Sequence, residues 1–269
     1  MTISMQATRI TTLLVAAALF TGCTGVTVTI NRATPMAVAV AVPKATAVPE
    51  ASLVSDYSTP EAAITAYIDG IKQQNVSATF AASAINEPAQ QFDFQAYADR
   101  LQAMPLLTSP APAEYPFYVE LNRVRRQNEV LGQVRNLAYS LLSAETIDGS
   151  IIANPGPERV QAFVTDVDPS RLSGIELVKI GAPSPDLLSS TRFQENAAKQ
   201  AAIYGADELT ERVALLSFED KDYLLGFTLL RYGDGWRVMY QTSNLAGTSA
   251  LGTAEPTTPD EFGSLIGGG

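Results

Sequence analysis

The C-terminal third of the chain contains three apolar runs close together: Arg212-Val-Ala-Leu-Leu-Ser-Phe218, Tyr223-Leu-Leu-Gly-Phe-Thr-Leu-Leu-Arg-Tyr232 and Trp236-Arg-Val-Met-Tyr240. The runs are rich in aromatic and aliphatic residues and are bounded by turn residues, as strands are. Only the short polar connectors Asp220-Lys221-Asp222 and Gly233-Asp234-Gly235 separate them. Because connectors this short join strands as hairpins, the sequence predicts a C-terminal antiparallel meander.

Helical patterns dominate the chain before this meander. The first begins at Ser58-Thr59-Pro60-Glu61, which offers a hydroxyl cap, a proline for the first turn and an acid near the helix start. Apolar residues then recur at helical spacing, and one further strand is expected over 175–180. We expect helices at 60–74, 76–86, 93–104, 117–142, 160–167 and 192–204. Helices early in the chain followed by an antiparallel meander near its end indicate the α+β class.

The longest predicted helix, 117–142, carries four arginines: Arg123, Arg125, Arg126 and Arg135. Helical spacing places them mainly on the polar side. They could bind an anionic ligand or a carboxylate, or they could form ordinary ion pairs on a solvated helix face. The second arrangement is the more common one.

The N-terminal residues have the features of an export signal. Arg9 supplies positive charge, 13–20 is a short apolar run, and Phe20-Thr21-Gly22-Cys23 closes the segment. The run is shorter than the roughly 20 residues that cross a bilayer, and small residues precede the expected cleavage point. The ending resembles the lipobox of bacterial lipoproteins, with Phe20 where that family usually has Leu. An ordinary secretory signal with an incidental cysteine is the alternative.

The lipobox resemblance implies an anchored domain organisation. Residues 1–22 would be a signal peptide, and lipid chains on Cys23 would hold the protein at the extracytoplasmic face of the cell membrane. Residues 23–57, rich in Pro, Ala, Val and Thr, are expected to form a tether, although 25–30 could instead be an edge strand. We expect a single α+β domain over 58–245 and a flexible tail over 246–269, which is rich in Gly, Ser, Thr and Pro.

The composition excludes several functional classes. The chain has no histidine and one cysteine, so it has no Ser-His-Asp triad, Cys-His pair, histidine zinc site or intramolecular disulfide. Its formal net charge of −10 argues against nucleic acid or anionic lipid as a partner of the domain. Glycine-rich phosphate motifs and nucleophile elbows are absent from the expected mature domain. We therefore predict no catalytic residue, no cofactor and no metal site.

Two segments are similar to the nuclear transport factor two-like domains of many bacterial lipoproteins. They are Thr59-Pro60-Glu61-Ala62-Ala63 with Tyr67, and Leu229-Leu-Arg-Tyr-Gly-Asp-Gly-Trp-Arg-Val238. The resemblance implies helices wrapped against a curved antiparallel sheet, in a cone whose mouth can hold a small ligand. The helical middle, 117–167, departs from that family, which normally has more strands there. No functional residue carries over.

Four aromatic residues fall on the last two predicted strands: Tyr223, Tyr232, Trp236 and Tyr240. They are candidates for lining a pocket, although aromatic residues in strands more often pack in a core or across strands. Two functions stay open. The first, which we favour, is a non-catalytic envelope lipoprotein that binds a protein partner or a small ligand. The second is an enzyme that uses carboxylate and tyrosine chemistry in a cone-like cavity.

Overall fold

The computed structural model describes residues 57–143 and 151–267. The predicted signal peptide, Cys23 and the predicted tether up to residue 56 lie outside the described residues. Residues Ala51–Gly269 form one compact unit. Within the described ranges, no helix combines the length and the apolar character needed to cross a membrane.

An antiparallel sheet organises the domain. The first four strands lie side by side in chain order, and the fifth pairs with the third. The strands are β1 (Glu176–Gly181), β2 (Glu208–Phe218), β3 (Lys221–Tyr232), β4 (Gly235–Tyr240) and β5 (Glu255–Pro256). The predicted α+β class and C-terminal meander are therefore confirmed. Strand β2 begins before the predicted Arg212 because Glu208 and its neighbours extend the pairing with β3.

Helices precede, interrupt and follow the sheet. The first starts where the sequence predicts, since Thr59 Oγ1 accepts a hydrogen bond of 3.1 Å from the backbone N–H of Ala62. The α-helices are α1 (Pro60–Lys72), α2 (Val76–Ala81), α3 (Asn86–Gln91), α4 (Phe94–Leu101), α5 (Pro116–Leu142), α6 (Pro157–Asp166), α7 (Pro185–Leu188), α8 (Thr191–Ile203) and α9 (Pro259–Leu265). A 3-10 helix covers Pro169–Gly174.

The helix predicted over 76–86 ends at Ala81, and a second short helix that was not predicted, α3, begins at Asn86. Between them the backbone N–H of Ala84 donates to the carbonyl of Val238 at 2.8 Å, and Ser83 forms a bridge with the same residue. This pairing draws the chain out of the helix and against β4. A contact with a distant strand therefore outweighs the local helical pattern.

One face of the sheet packs against α1 and α5. Ile64 and Tyr67 of α1 and Leu137 of α5 are completely buried in the same cluster as Leu225 and Phe227 of β3. The rings of Tyr67 and Phe227 meet edge to face with centroids 6.0 Å apart. This is the main core of the domain.

The other face of the sheet carries two smaller clusters. In one, Leu230 packs with Ala197 and Ala201 of α8. In the other, Leu215 packs with Phe262 of α9. Both faces of the sheet are therefore covered by helices.

The C-terminal segment differs from the flexible tail expected over 246–269. Strand β5 pairs with β3, and Phe262 of α9 is 1 % exposed. Thr258 and Glu261 form a capping box at the start of α9. The Gly, Ser, Thr and Pro content of this segment predicts disorder, but the segment packs against the sheet because the side chain of Phe262 is buried there.

Candidate functional site

The four candidate aromatic residues do not converge on one pocket. Tyr223 and Trp236 are each 7 % exposed and belong to the main core beside α1. Tyr232 and Tyr240 pack on the opposite face, in the cluster beside α8. On β4, a bulge at Met239 reverses the direction of the side chains that follow it. Trp236 and Tyr240 therefore face opposite sides of the sheet.

Three tyrosines form a hydrogen-bonded group on the α8 face. The hydroxyl of Tyr232 donates to the carbonyl of Tyr204 at 3.1 Å, and the hydroxyls of Tyr204 and Tyr240 lie 3.4 Å apart. Burial raises the pKa of both Tyr204 and Tyr232 far above the usual range. These hydroxyls therefore stay protonated, and their partners are groups of the protein itself.

Arg126 does not lie on the polar side of α5, where helical spacing mainly places the arginines. It is 5 % exposed, and its Nη2 donates to the carbonyl of Met239 at 2.7 Å. Its Nε donates to the carbonyl of Ala84 at 3.3 Å, and its Nη1 pairs with Glu129. The guanidinium also lies 5.1 Å from the ring centre of Tyr240. Arg126 is thus a structural residue.

An apolar cleft lies between the end of α1, α2, the C-terminal half of α5 and the 3-10 helix. Its volume is about 280 Å³. The floor is buried, whereas Val76 and Leu131 at the rim are 47 % and 40 % exposed. The apolar lining includes Ile71, Phe80, Val134, Ala138, Leu142 and Leu172.

The local sequence between α1 and α2 shapes one wall of this cleft. Gly70 lets the two helices approach, because a Cβ there would lie 2.6 Å from Oγ1 of Thr79. Asn75 then caps α2 by accepting a hydrogen bond of 3.1 Å from the N–H of Ala78. The tight corner positions Val76 and Phe80 opposite α5.

Arg135 is the charged residue in the lining of the cleft. Its side chain is exposed, and within 57–143 and 151–267 no carboxylate lies within ion-pair distance of it. Among the described residues Arg100 and Arg192 also lack such a partner, whereas seven other arginines have one. These pairs are Arg123–Glu120, Arg125–Glu129, Arg126–Glu129, Arg171–Glu219, Arg212–Glu61, Arg231–Glu208 and Arg237–Glu87.

This cleft was not predicted from the sequence. The sequence gives one indication of the cleft, which is that α5 carries apolar residues on more than one side. Leu137 is completely buried, whereas Leu131 is 40 % exposed. Residue type alone does not show which of these apolar positions another element will cover.

Comparisons with known proteins support the fold and give no further assignment. The sequence matches no protein-family profile and no curated protein. Among solved structures it is similar to a cystatin-like protein from Ruminococcus gnavus, with a TM-score of 0.52 and 18 % sequence identity. The match covers 73 % of this chain and 44 % of that one, so this chain spans less than half the length of that protein. The likeness shows a helix-on-curved-sheet fold, as predicted, and the fold alone.

Proposed function

We propose that this protein is a lipoprotein of the cell envelope, anchored at the extracytoplasmic face of the membrane through Cys23. Its domain binds a small ligand and carries out no catalysis. The observation that supports ligand binding is the apolar cleft between α1, α2 and α5. A concave site with an apolar floor suits a small molecule better than it suits the flat surface of a protein partner.

The dimensions of the cleft agree with this proposal. Its volume of about 280 Å³ lies just below the range of about 300–1,000 Å³ for small-molecule sites. Leu142 and Leu172 at its floor are each 5 % exposed, so the packed core fixes the shape of the site. Burying an apolar group against this floor removes it from water, which is the main source of affinity in such sites.

The alternative enzymatic function has less support. Acid–base catalysis works best when the pKa of the catalytic group lies near the working pH, and burial moves the pKa of Tyr204 and Tyr232 away from neutrality. Among the residues that the structure describes, no three acids or cysteines are grouped to hold a metal ion. We therefore propose binding as the function.

The anchor is tested by metabolic labelling of cells that express the full chain. Radiolabelled palmitate is expected in the wild-type protein and not in Cys23→Ala, because the thiol is the proposed site of acylation. Thr24→Ala, a change at the next residue, should retain the label. Equal labelling of wild type and Cys23→Ala contradicts the anchor.

The cleft is tested with N-phenyl-1-naphthylamine, an uncharged dye whose fluorescence rises in apolar surroundings. Ala138 lines the cleft, so a tryptophan at this position should fill it and weaken dye binding by about tenfold. Ala198→Trp on the exposed side of α8 is the matched control and should bind like wild type. Circular dichroism checks that both variants fold. Equal dye binding by the two tryptophan variants contradicts a ligand site in the cleft.

A further inference from the structure

The cleft joins an apolar floor to one positive charge. Arg135 is the single charged residue among those that line it, and the rest of the lining is mainly aliphatic and aromatic. The polar residues Gln74 and Asn75 lie at the same cleft, where α1 turns into α2. A ligand that matches this surface has an apolar body and an anionic end.

The position of Arg135 at the cleft, together with its lack of a carboxylate partner among the described residues, supports an anionic ligand. In this acidic domain the neighbouring arginines of α5, Arg125 and Arg126, both pair with Glu129. Arg135 has no carboxylate partner in the two described ranges and is exposed beside the cleft. A guanidinium in this position can offer a planar pair of N–H donors to a carboxylate or phosphate.

The overall acidity of the chain does not prevent an anion from binding here. At physiological ionic strength, interactions between exposed charges fall off over about 8 Å. The attraction between the guanidinium and the anionic end of the ligand is therefore stronger than the repulsion from carboxylates elsewhere on the surface. Glu129, on the same helix, is already paired with two arginines.

We infer that the cleft binds a single-chain amphiphile, with its hydrocarbon chain on the apolar floor and its anionic headgroup at Arg135. This inference rests on the proposed ligand-binding function and names the class of ligand. Each CH₂ group buried on the floor should tighten binding by about fourfold. The headgroup contact should add about threefold to fivefold, since Arg135 is exposed to solvent.

The headgroup contact is tested by calorimetric titration of residues 24–269, which contain the whole compact unit Ala51–Gly269. The probes are decanoate, decyl phosphate and decanol, which share one chain length and differ in headgroup. Decanoate or decyl phosphate should bind about threefold to fivefold more tightly than decanol. The tighter of the two anions indicates whether a carboxylate or a phosphate headgroup is preferred.

Variants of Arg135 separate this contact from general electrostatics. Arg135→Gln should lower the affinity for the two anionic probes to the affinity for decanol, and it should leave the affinity for decanol unchanged. Arg135→Lys should keep part of the preference, because it keeps the charge but not the planar donor pair. Arg192→Gln removes the same charge from the exposed part of α8 and should leave every probe unchanged.

The outcomes distinguish the two proposals. If decanol binds as tightly as the anions, or if Arg135→Gln and Arg192→Gln bind the probes equally, the proposed contact between an anionic headgroup and Arg135 is wrong. The proposed apolar site is not contradicted by this result. If neither the three probes nor the uncharged dye binds, the ligand-binding function itself is wrong.

Discussion

The hydroxyl of Tyr67 donates a hydrogen bond of 2.7 Å to Oε1 of Gln241, and neither side chain is exposed to solvent. The Nε2 of Gln241 donates in turn to the carbonyl of Gly252 at 2.7 Å and to that of Gln133 at 3.3 Å. One buried amide thus connects α1, α5 and the segment that follows β4. Because buried polar groups are costly when they lose a partner, this connection should contribute measurably to stability.

Tyr67→Phe is expected to lower the free energy of unfolding by about 1–3 kcal/mol, because it leaves Oε1 of Gln241 buried without its donor. Urea unfolding followed by circular dichroism measures the change. Tyr118→Phe is the control, since Tyr118 is 37 % exposed and its change should stay within about 0.5 kcal/mol. The same loss in both variants would show that the hydrogen bond of Tyr67 contributes little.

Two glycine substitutions should change stability in opposite directions. A Cβ at Gly226 would lie 2.2 Å from Oγ1 of Thr248 and 2.4 Å from the backbone N of Ser243, so Gly226→Ala should destabilise by about 3 kcal/mol. Gly132 is inside α5, where a Cβ would meet nothing within 4 Å, so Gly132→Ala should stabilise by about 0.5–1 kcal/mol. Thermal unfolding midpoints measure both. An unchanged midpoint for Gly226→Ala contradicts the close packing on β3.

The contact between Glu61 and Arg212 should make stability depend on pH. Burial opposes the charged form of Glu61, but hydrogen bonds from Arg212 and from the backbone outweigh it, so the pKa of Glu61 lies below its usual 4.5. A carboxyl with a lowered native pKa stabilises the fold above 4.5, and this contribution is lost as the pH falls through the native pKa.

Glu61→Gln should therefore be less stable than wild type at pH 7, by at most about 1 kcal/mol because the pair is partly exposed. The difference should close as the pH falls below 4.5. Thermal midpoints measured across this pH range check it. Glu195→Gln on the exposed side of α8 should show no such convergence. A difference for Glu61→Gln that stays constant with pH would rule out the ion pair as its cause.

Phe262→Ala tests the contribution of the C-terminal helix. Phe262 is 1 % exposed and packs on the sheet beside Leu215, so its truncation should cost about 3–5 kcal/mol. Leu251→Ala in the same part of the chain is the control, because Leu251 is 55 % exposed. Chemical unfolding compares the two. If the variants are equally stable, the segment after residue 250 adds little to the fold.

Local signals explain what the sequence predicts well. The start of α1 depends on Thr59 and on residues next to it, and the cap forms as expected. The meander depends on apolar runs and short polar connectors, and β3 and β4 pair where the sequence places them. In both cases the interacting groups lie close together in the chain, so the local pattern contains the whole interaction.

The remaining features depend on contacts between distant segments. The break between α2 and α3 requires β4, since Ala84 donates to Val238. The cleft requires α5 to meet the corner after Gly70, and neither segment indicates the other in its residue types. Trp236 and Tyr240 of β4 point to opposite faces of the sheet because of the bulge at Met239. This bulge has no clear signature in the sequence. Such features become visible only when the tertiary structure is known.

The buried guanidinium of Arg126 has a consequence for behaviour in acid. Its donors reach the carbonyls of Ala84 and Met239, and carbonyl oxygens do not titrate. The bonds that fasten the middle of α5 to these two segments should therefore survive acidification. Acidification should therefore weaken the contact between Glu61 and Arg212 at the start of α1 while leaving the bonds from Arg126 to these two carbonyls in place.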